Sequence, residues 1–196
     1  EIQAKGINIF DGYWKNPEET AKVFDGEWFK TGDIGEFDED GYLSITGRKK
    51  EIIVTAGGKN VSPAQLEDPI RANPIVDQVI VVGEQKPFIG ALITLDPEML
   101  PVWLNNNNED ATMSIEEAAR HPKVIAEIQR AVDAANATVS RAESIRKFVI
   151  LTRELTEASG HLTPKLSIKR NVILADCAAD IEGMYQSAPT TEGVSL

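Results

Sequence analysis

Four groups of residues in this 196-residue sequence have the types and spacing to do chemistry. Thr31-Gly32-Asp33 puts a carboxylate on a tight turn, where its two oxygens can accept from vicinal hydroxyls such as those of a ribose. The same aspartate can instead close the turn on its own backbone. Fifteen residues further on, Gly47-Arg48 supplies a guanidinium able to fork onto ribose or phosphate oxygens, and a hairpin would return it to Asp33. Gly57-Gly58-Lys59 has the composition of an anion-cradling turn, two glycines beside a cation. It lacks the spacing of a phosphate loop and reads equally as a plain hairpin turn. Last comes the run from Gly160 to Arg170, in which Lys165 and Lys169 share a face whether the segment is extended or helical. Two cations pointing together suit a negative charge developing in a dry site, or a solvated basic face.

The remaining reactive residue types offer less. His121 and His161 have no Ser or Cys partner in their sequence context, so neither is assigned a catalytic role. Cys177, the single cysteine, lies on an apolar stripe and reads as a core residue; it excludes a disulfide framework and a Cys-rich metal site. No metal-binding residues are expected.

The elements that must position these groups follow from local pattern. Short β-rich runs at 34–37 and 42–46 flank Asp38-Glu39-Asp40-Gly41, a hairpin closed by Asp-Gly. A polar stretch, 47–50, interrupts the apolar pattern before a strand at 51–55. Ser62-Pro63-Ala64-Gln65 has the marks of a helix start: an N-cap serine, proline at the first position and a glutamine able to complete a capping box. Leu66, Ile70 and Pro69 would form its apolar face, and Asn73-Pro74 would end it. A second hairpin pairs 75–82 with 88–95, and short helices are expected at 97–104 and 115–120. Val124, Ile128, Val132 and Ala135 trace a 3.6-residue stripe from Pro122 to about Ser140. A strand at 147–152 and one last helix at 172–185 complete the pattern, leaving a frayed tail. Irregular alternation with hairpins points to an α+β fold rather than a doubly wound parallel sheet.

Charge sharpens the picture. The formal net charge is −11, which argues against nucleic-acid binding. Yet 47–71 holds 5 basic residues against 3 acidic, and 141–170 holds 7 against 3, so two basic islands sit in an acidic chain. Islands of this sort suit an anionic ligand such as a nucleotide. At 42% hydrophobic and without an apolar run of the roughly 18 residues a span requires, no transmembrane segment is expected.

In order and spacing these residues resemble the C-terminal part of the adenylate-forming (AMP-binding) acyl-CoA synthetases, and within them the bacterial long-chain fatty-acid–CoA ligases. The resemblance runs from Gly12-Tyr13-Trp14 through Thr31-Gly32-Asp33, Asp40-Gly41-Tyr42 and Gly47-Arg48-Lys49-Lys50-Glu51-Ile52-Ile53. It continues through Gly57, Gly58, Asn60, Val61, Pro63 and Glu67 to Leu162-Thr163-Pro164 and Lys169-Arg170. It implies the end of a large, β-rich N-terminal domain at 1–47, a hinge at 48–50, a small mobile lid domain at 51–186 and a tail at 187–196. It also implies an acid–thiol ligase in which ATP and a fatty acid form an acyl-adenylate, and coenzyme A then displaces AMP. ATP/AMP, Mg2+ and coenzyme A enter as substrates, with none tightly bound. Asp33 would hold the ribose hydroxyls, Arg48 would assist at the nucleotide and Lys50 would be the hinge. Gly57, Gly58 and Lys59 would face the active site during thioester formation. A lysine near the C-terminus would bridge phosphate and carboxylate.

The last motif departs from the usual T-P-T-x-K-x-K-R: aligned on Arg170, Ser167 stands where the lysine belongs, flanked by Lys165 and Lys169. Aligned on the more general family motif, the lysine is Lys169, which is preferred here with Lys165 second. The phosphate loop and acyl tunnel of the family are absent, so the chain is expected to be a fragment that is inactive alone. A ligase for another carboxylic acid, or a non-catalytic interaction domain derived from this fold, remain the alternatives. The partners implied are small molecules and the missing N-terminal domain. The location implied is cytoplasmic, with peripheral contact at the inner membrane face open to an enzyme of fatty substrates.

Overall fold

A computed structural model describes residues 1–186, and the chain divides after Ile52 into two units. The tail expected at 187–196 lies outside the described residues.

In the first unit, β1 (Gln3–Ala4) is followed by α1 (Pro17–Val23), β2 (Phe24–Asp25) and β3 (Trp28–Lys30). Asn16 caps α1 by accepting from the Glu19 amide, and Pro17 occupies the first turn, where its missing N–H costs nothing. The strands pair antiparallel in the order β1-β3-β2. Phe10, Phe24 and Phe29 pack as tilted and edge-on rings with centroids 5.1 to 5.7 Å apart. Next, β4 (Asp33–Phe37) and β5 (Leu43–Arg48) form the expected hairpin. Its turn is built by Asp38, whose carboxylate accepts from the amides of Asp40 and Tyr42, while Gly41 takes a φ of +85°. A single turn of 3-10 helix, Lys49–Glu51, closes the unit.

In the second unit, β6 (Ile53–Val54) and β7 (Asn60–Val61) form a short antiparallel ladder. Then come α2 (Pro63–Arg71), β8 (Val76–Val82), β9 (Ile89–Leu95), α3 (Met99–Asn106), α4 (Ile115–Ala118), α5 (Pro122–Asn136) and β10 (Ile145–Leu151). The last described elements are α6 (Arg170–Asp176) and α7 (Ala178–Gln186). The sheet order is β10-β9-β8, with β8 antiparallel and β10 parallel to the central strand. Every residue of β9 is buried, because helices cover both faces. Period-two alternation divides the strands between two cores. Val79, Val81, Ala91 and Ile93 join Leu66 and Ile70 of α2 and the stripe of α5. Ile80, Val82 and Leu92 join Ile173, Cys177 and Met184 on the other side. The α+β expectation therefore holds, in the form of a mixed sheet between two helical layers in the second unit.

Four local expectations are corrected. Pro69 is exposed, and the buried face of α2 is made of Pro63, Leu66, Glu67 and Ile70. Ser62 occupies the N-cap position, but its side chain does not accept from the first turn. The long helix stops at Asn136 rather than Ser140. The single helix expected at 172–185 is two helices, broken at Cys177, whose φ of −99° and ψ of 15° leave the helical region. Ile173, Cys177 and Met184 keep the spacing of one helical face across the break and pack into the same core.

Candidate functional site

Each unit carries its own share of the candidate residues. In the first, the register of the hairpin sets Asp33 directly across from Arg48. Arg48 Nε donates to Asp33 Oδ1 at 2.8 Å, with the aspartate side chain 21% exposed and the arginine 62%. The turn before Asp33 is over-determined. Thr31 Oγ1 donates to the Ile2 carbonyl and accepts from the Asp33 amide, and Gly32 takes a φ of +77° that a side chain would resist. Gly32 O in turn accepts from the Lys49 amide at 2.8 Å. Thr31, Gly32, Arg48, Lys49 and Lys50 line a cleft of about 790 Å³ within this unit, large enough for a nucleotide-sized ligand. Lys50 is exposed in the middle of the 3-10 turn.

In the second unit, the Gly57-Gly58-Lys59 loop joins β6 to β7. Gly58 takes a φ of +77°; its amide donates to the Thr55 carbonyl at 2.8 Å, and the Lys59 amide donates to Thr55 Oγ1 at 3.1 Å. Those two donors are spent inside the turn, so the anion-cradling reading gives way to the hairpin-turn one. Lys59 Nζ lies 3.4 Å from Glu143 Oε1.

The lysine segment is neither strand nor helix, so the shared-face expectation for Lys165 and Lys169 does not apply. Leu162 bridges Ile168, and between them the chain turns at Pro164 and Lys165. Leu166 is held at a φ of +59°, a strained position for a branched side chain, and is 68% exposed. Lys165 sits on the exposed turn, whereas Lys169 is the N-cap of α6, its amide donating to the His161 carbonyl at 2.8 Å. Among the described residues neither lysine side chain has an ion-pair partner.

Two arrangements here were missed by sequence reasoning. His161 does have a serine partner. Its ring is buried, Nδ1 lies 2.7 Å from Ser159 Oγ, and Nε2 lies 2.9 Å from Asp176 Oδ2. The geometry imitates a hydrolytic triad, yet Ser159 Oγ also bonds the backbone and hydroxyl of Thr156, which ties it into a local turn. The second is Glu67, 5% exposed on α2. Its carboxylate accepts from the Val81 amide at 2.7 Å and from Arg170 at 2.8 and 2.9 Å, and Arg170 also donates to the Val81 carbonyl at 3.1 Å. Burial pushes the Glu67 carboxyl up, against the pull of the Arg170 guanidinium and the Val81 N–H. A glutamate at position five of an apolar-faced helix gives no sequence sign of a partner 103 residues away.

No group of three or more His, Cys, Asp or Glu side chains suited to a metal ion occurs among the described residues, and none of their helices is long and apolar enough to cross a membrane.

A family model described as the AMP-binding enzyme C-terminal domain matches residues 50–189. Over 185 residues the chain is 55% identical to the long-chain-fatty-acid–CoA ligase FadD15 of Mycobacterium tuberculosis, covering 94% of this chain and 31% of that protein. The chain thus spans about a third of that relative's length. Among solved structures, the adenylation domain of a carboxylate reductase from Mycobacterium chelonae superposes with a TM-score of 0.72 at 24% identity, covering 94% of this chain and 27% of that one. The corresponding domain from Segniliparus rugosus, in complex with AMP and a co-purified carboxylic acid, gives 0.69 at 24%, covering 92% and 27%. These two likenesses concern the fold.

Proposed function

The chain belongs to the AMP-binding enzyme C-terminal domain family, and from that premise we propose that it acts as the C-terminal part of a long-chain fatty-acid–CoA ligase. The observation that carries this reading is the 55% identity with a named ligase over 94% of the chain, an extent that takes in both units. On this reading a fatty acid attacks the α-phosphate of ATP, releasing pyrophosphate. The thiol of coenzyme A then displaces AMP from the acyl-adenylate.

The roles assigned to this chain's residues follow from their chemistry. Asp33, fixed by the Thr31 turn, accepts from the ribose hydroxyls; Arg48 then exchanges its contact with Asp33 for the nucleotide, an exchange its exposure permits. Lys169 or Lys165 supplies positive charge where the carboxylate and α-phosphate crowd together, a stabilisation worth most where water is excluded. Ser167, being neutral, cannot. Lys50, where the family match begins, is the hinge on which the lid turns between the two half-reactions. Gly57, Gly58 and Lys59 lie on the face presented for thioester formation, beside the pantetheine of coenzyme A. Mg2+ accompanies the phosphates of ATP, and none of the described residues is assigned to it. We place the ligase in the cytoplasm, with peripheral contact at the inner membrane face where fatty acids partition.

Grafted onto the remainder of the FadD15 chain, the segment should support adenylation. Replacing Lys169 or Lys165 with Ala should lower ATP–pyrophosphate exchange by about 10²-fold, the cost of one electrostatic contact to the transition state. No effect from either substitution removes the lysine assignment, and robust exchange by the 196-residue chain alone contradicts its reading as one part of the enzyme. Ser167 favours one second reading, a non-catalytic domain on the same fold. A wild-type graft that folds and binds ATP but forms no adenylate would establish it.

A further inference from the structure

Segment 163–169 holds both candidate lysines and the strained Leu166, and its two stems are anchored in different ways. At the entry, the buried His161 is tied to Ser159 and Asp176. Within the segment, the Thr163 amide donates to the Ser167 carbonyl, the Leu166 amide to the Thr163 carbonyl and the Ser167 amide to Thr163 Oγ1. At the exit, the residue after Lys169 is Arg170, which forks onto Glu67 and also reaches Val81. Glu67 and Val81 belong to α2 and β8, the packed centre of the unit.

An ion pair is not the natural way merely to fasten α6 to this centre. Apolar side chains of similar volume would hold as well or better, because burying two charges carries a desolvation penalty. Apolar contact lacks direction, however. A planar guanidinium bonded at three points fixes the orientation of the first residue of α6 as well as its distance. We propose that the Glu67–Arg170 pair is a positioning device for the lysine segment: it sets the point and angle at which 163–169 leaves the core, and so where the lysine charge is presented. This rests on the reading of Lys165 and Lys169 given above.

Hydrogen exchange on the 196-residue chain tests the clamp itself. In Glu67→Gln, and in the milder Arg170→Lys, the amides of Thr163, Leu166, Ser167 and Lys169 should exchange about tenfold faster, while those of β9 keep their protection. Unchanged exchange in the segment, or equal loss throughout the unit, overturns the proposal. In the FadD15 graft, both variants should lower kcat for adenylation about tenfold at unchanged KM for ATP, and leave thioester formation from a supplied acyl-adenylate intact. Equal loss of the two half-reactions overturns it as well. Loosened exchange together with full adenylation by Lys165→Ala and Lys169→Ala removes the lysine reading and leaves the clamp standing.

Discussion

Lys59 and Glu143 illustrate how much a single pair can be asked to do. The Ser140 contacts and the Lys59 ammonium hold the Glu143 carboxyl below its ordinary value near 4.5. A carboxyl depressed in the folded state adds stability that is present above its unfolded pKa and is lost as pH falls through the lower folded value. The Glu143 contribution should therefore disappear on the acid side, beginning near 4.5. Glu143→Gln should reduce the fall in melting temperature between neutral and acid solution; a variant keeping the full fall would assign it to other carboxylates. Residue-level legibility was uneven. Asp33 and Arg48 could be paired in advance because an Asp-Gly turn sets the register of a hairpin between them. Glu67 with Arg170, and His161 with Ser159 and Asp176, could not be, because their contacts depend on packing between elements. Ser159 stands two residues from His161 and was still missed, since adjacency says nothing about where a ring nitrogen points.

Elements were read best where periodicity spoke alone. The stripe of α5 is fully confirmed: Val124, Ile128, Val132 and Ala135 are each at most 1% exposed. Ile128→Ala should cost about 2–5 kcal/mol in denaturant unfolding, because it leaves a cavity between α5 and the sheet. Ile125, 39% exposed on the same helix, should tolerate Ala with a change of about 0.5 kcal/mol or less. Similar losses at both positions would mean that the stripe is not what docks this helix. Periodicity failed where two elements shared one apolar pattern. The run from Val172 to Tyr185 reads as a single helix because Ile173, Cys177 and Met184 keep one helical spacing, although the backbone leaves the helix at Cys177. It failed again at the lysine segment, where proline and the bridge from Leu162 to Ile168 impose a turn that neither a 2-residue nor a 3.6-residue period describes.

At the scale of the whole molecule, the two units differ in how they are held. Among the described residues the buried hydrophobics begin at Ile53. In residues 1–52, Ile7, Trp14, Phe37, Tyr42 and Ile45 are each at least 67% exposed. A hairpin and a three-stranded sheet of such short strands do not make an independent core. Residues 53–196 expressed alone should unfold cooperatively in urea, and residues 1–52 alone should show no transition; a sigmoidal transition in the shorter piece would refute this. Lys50 belongs to the same scale, since the change of half-reaction proposed for it moves a domain rather than a side chain. Proline there should fix φ and leave one half-reaction of the FadD15 graft working with the other impaired. Equal loss of both, with folding intact, would remove the hinge.

Taken by itself, the sequence determined the family, the two basic islands, the hairpin that pairs Asp33 with Arg48 and the faces of the longer elements. All of these are local or periodic properties, written within a few residues of one another. The tertiary structure alone decided that the turn carrying Lys165 and Lys169 is anchored through His161 on Asp176, and that Glu67 clamps Arg170. Those outcomes depend on which surfaces are desolvated against each other, and desolvation is a property of packing that no short stretch of chain contains.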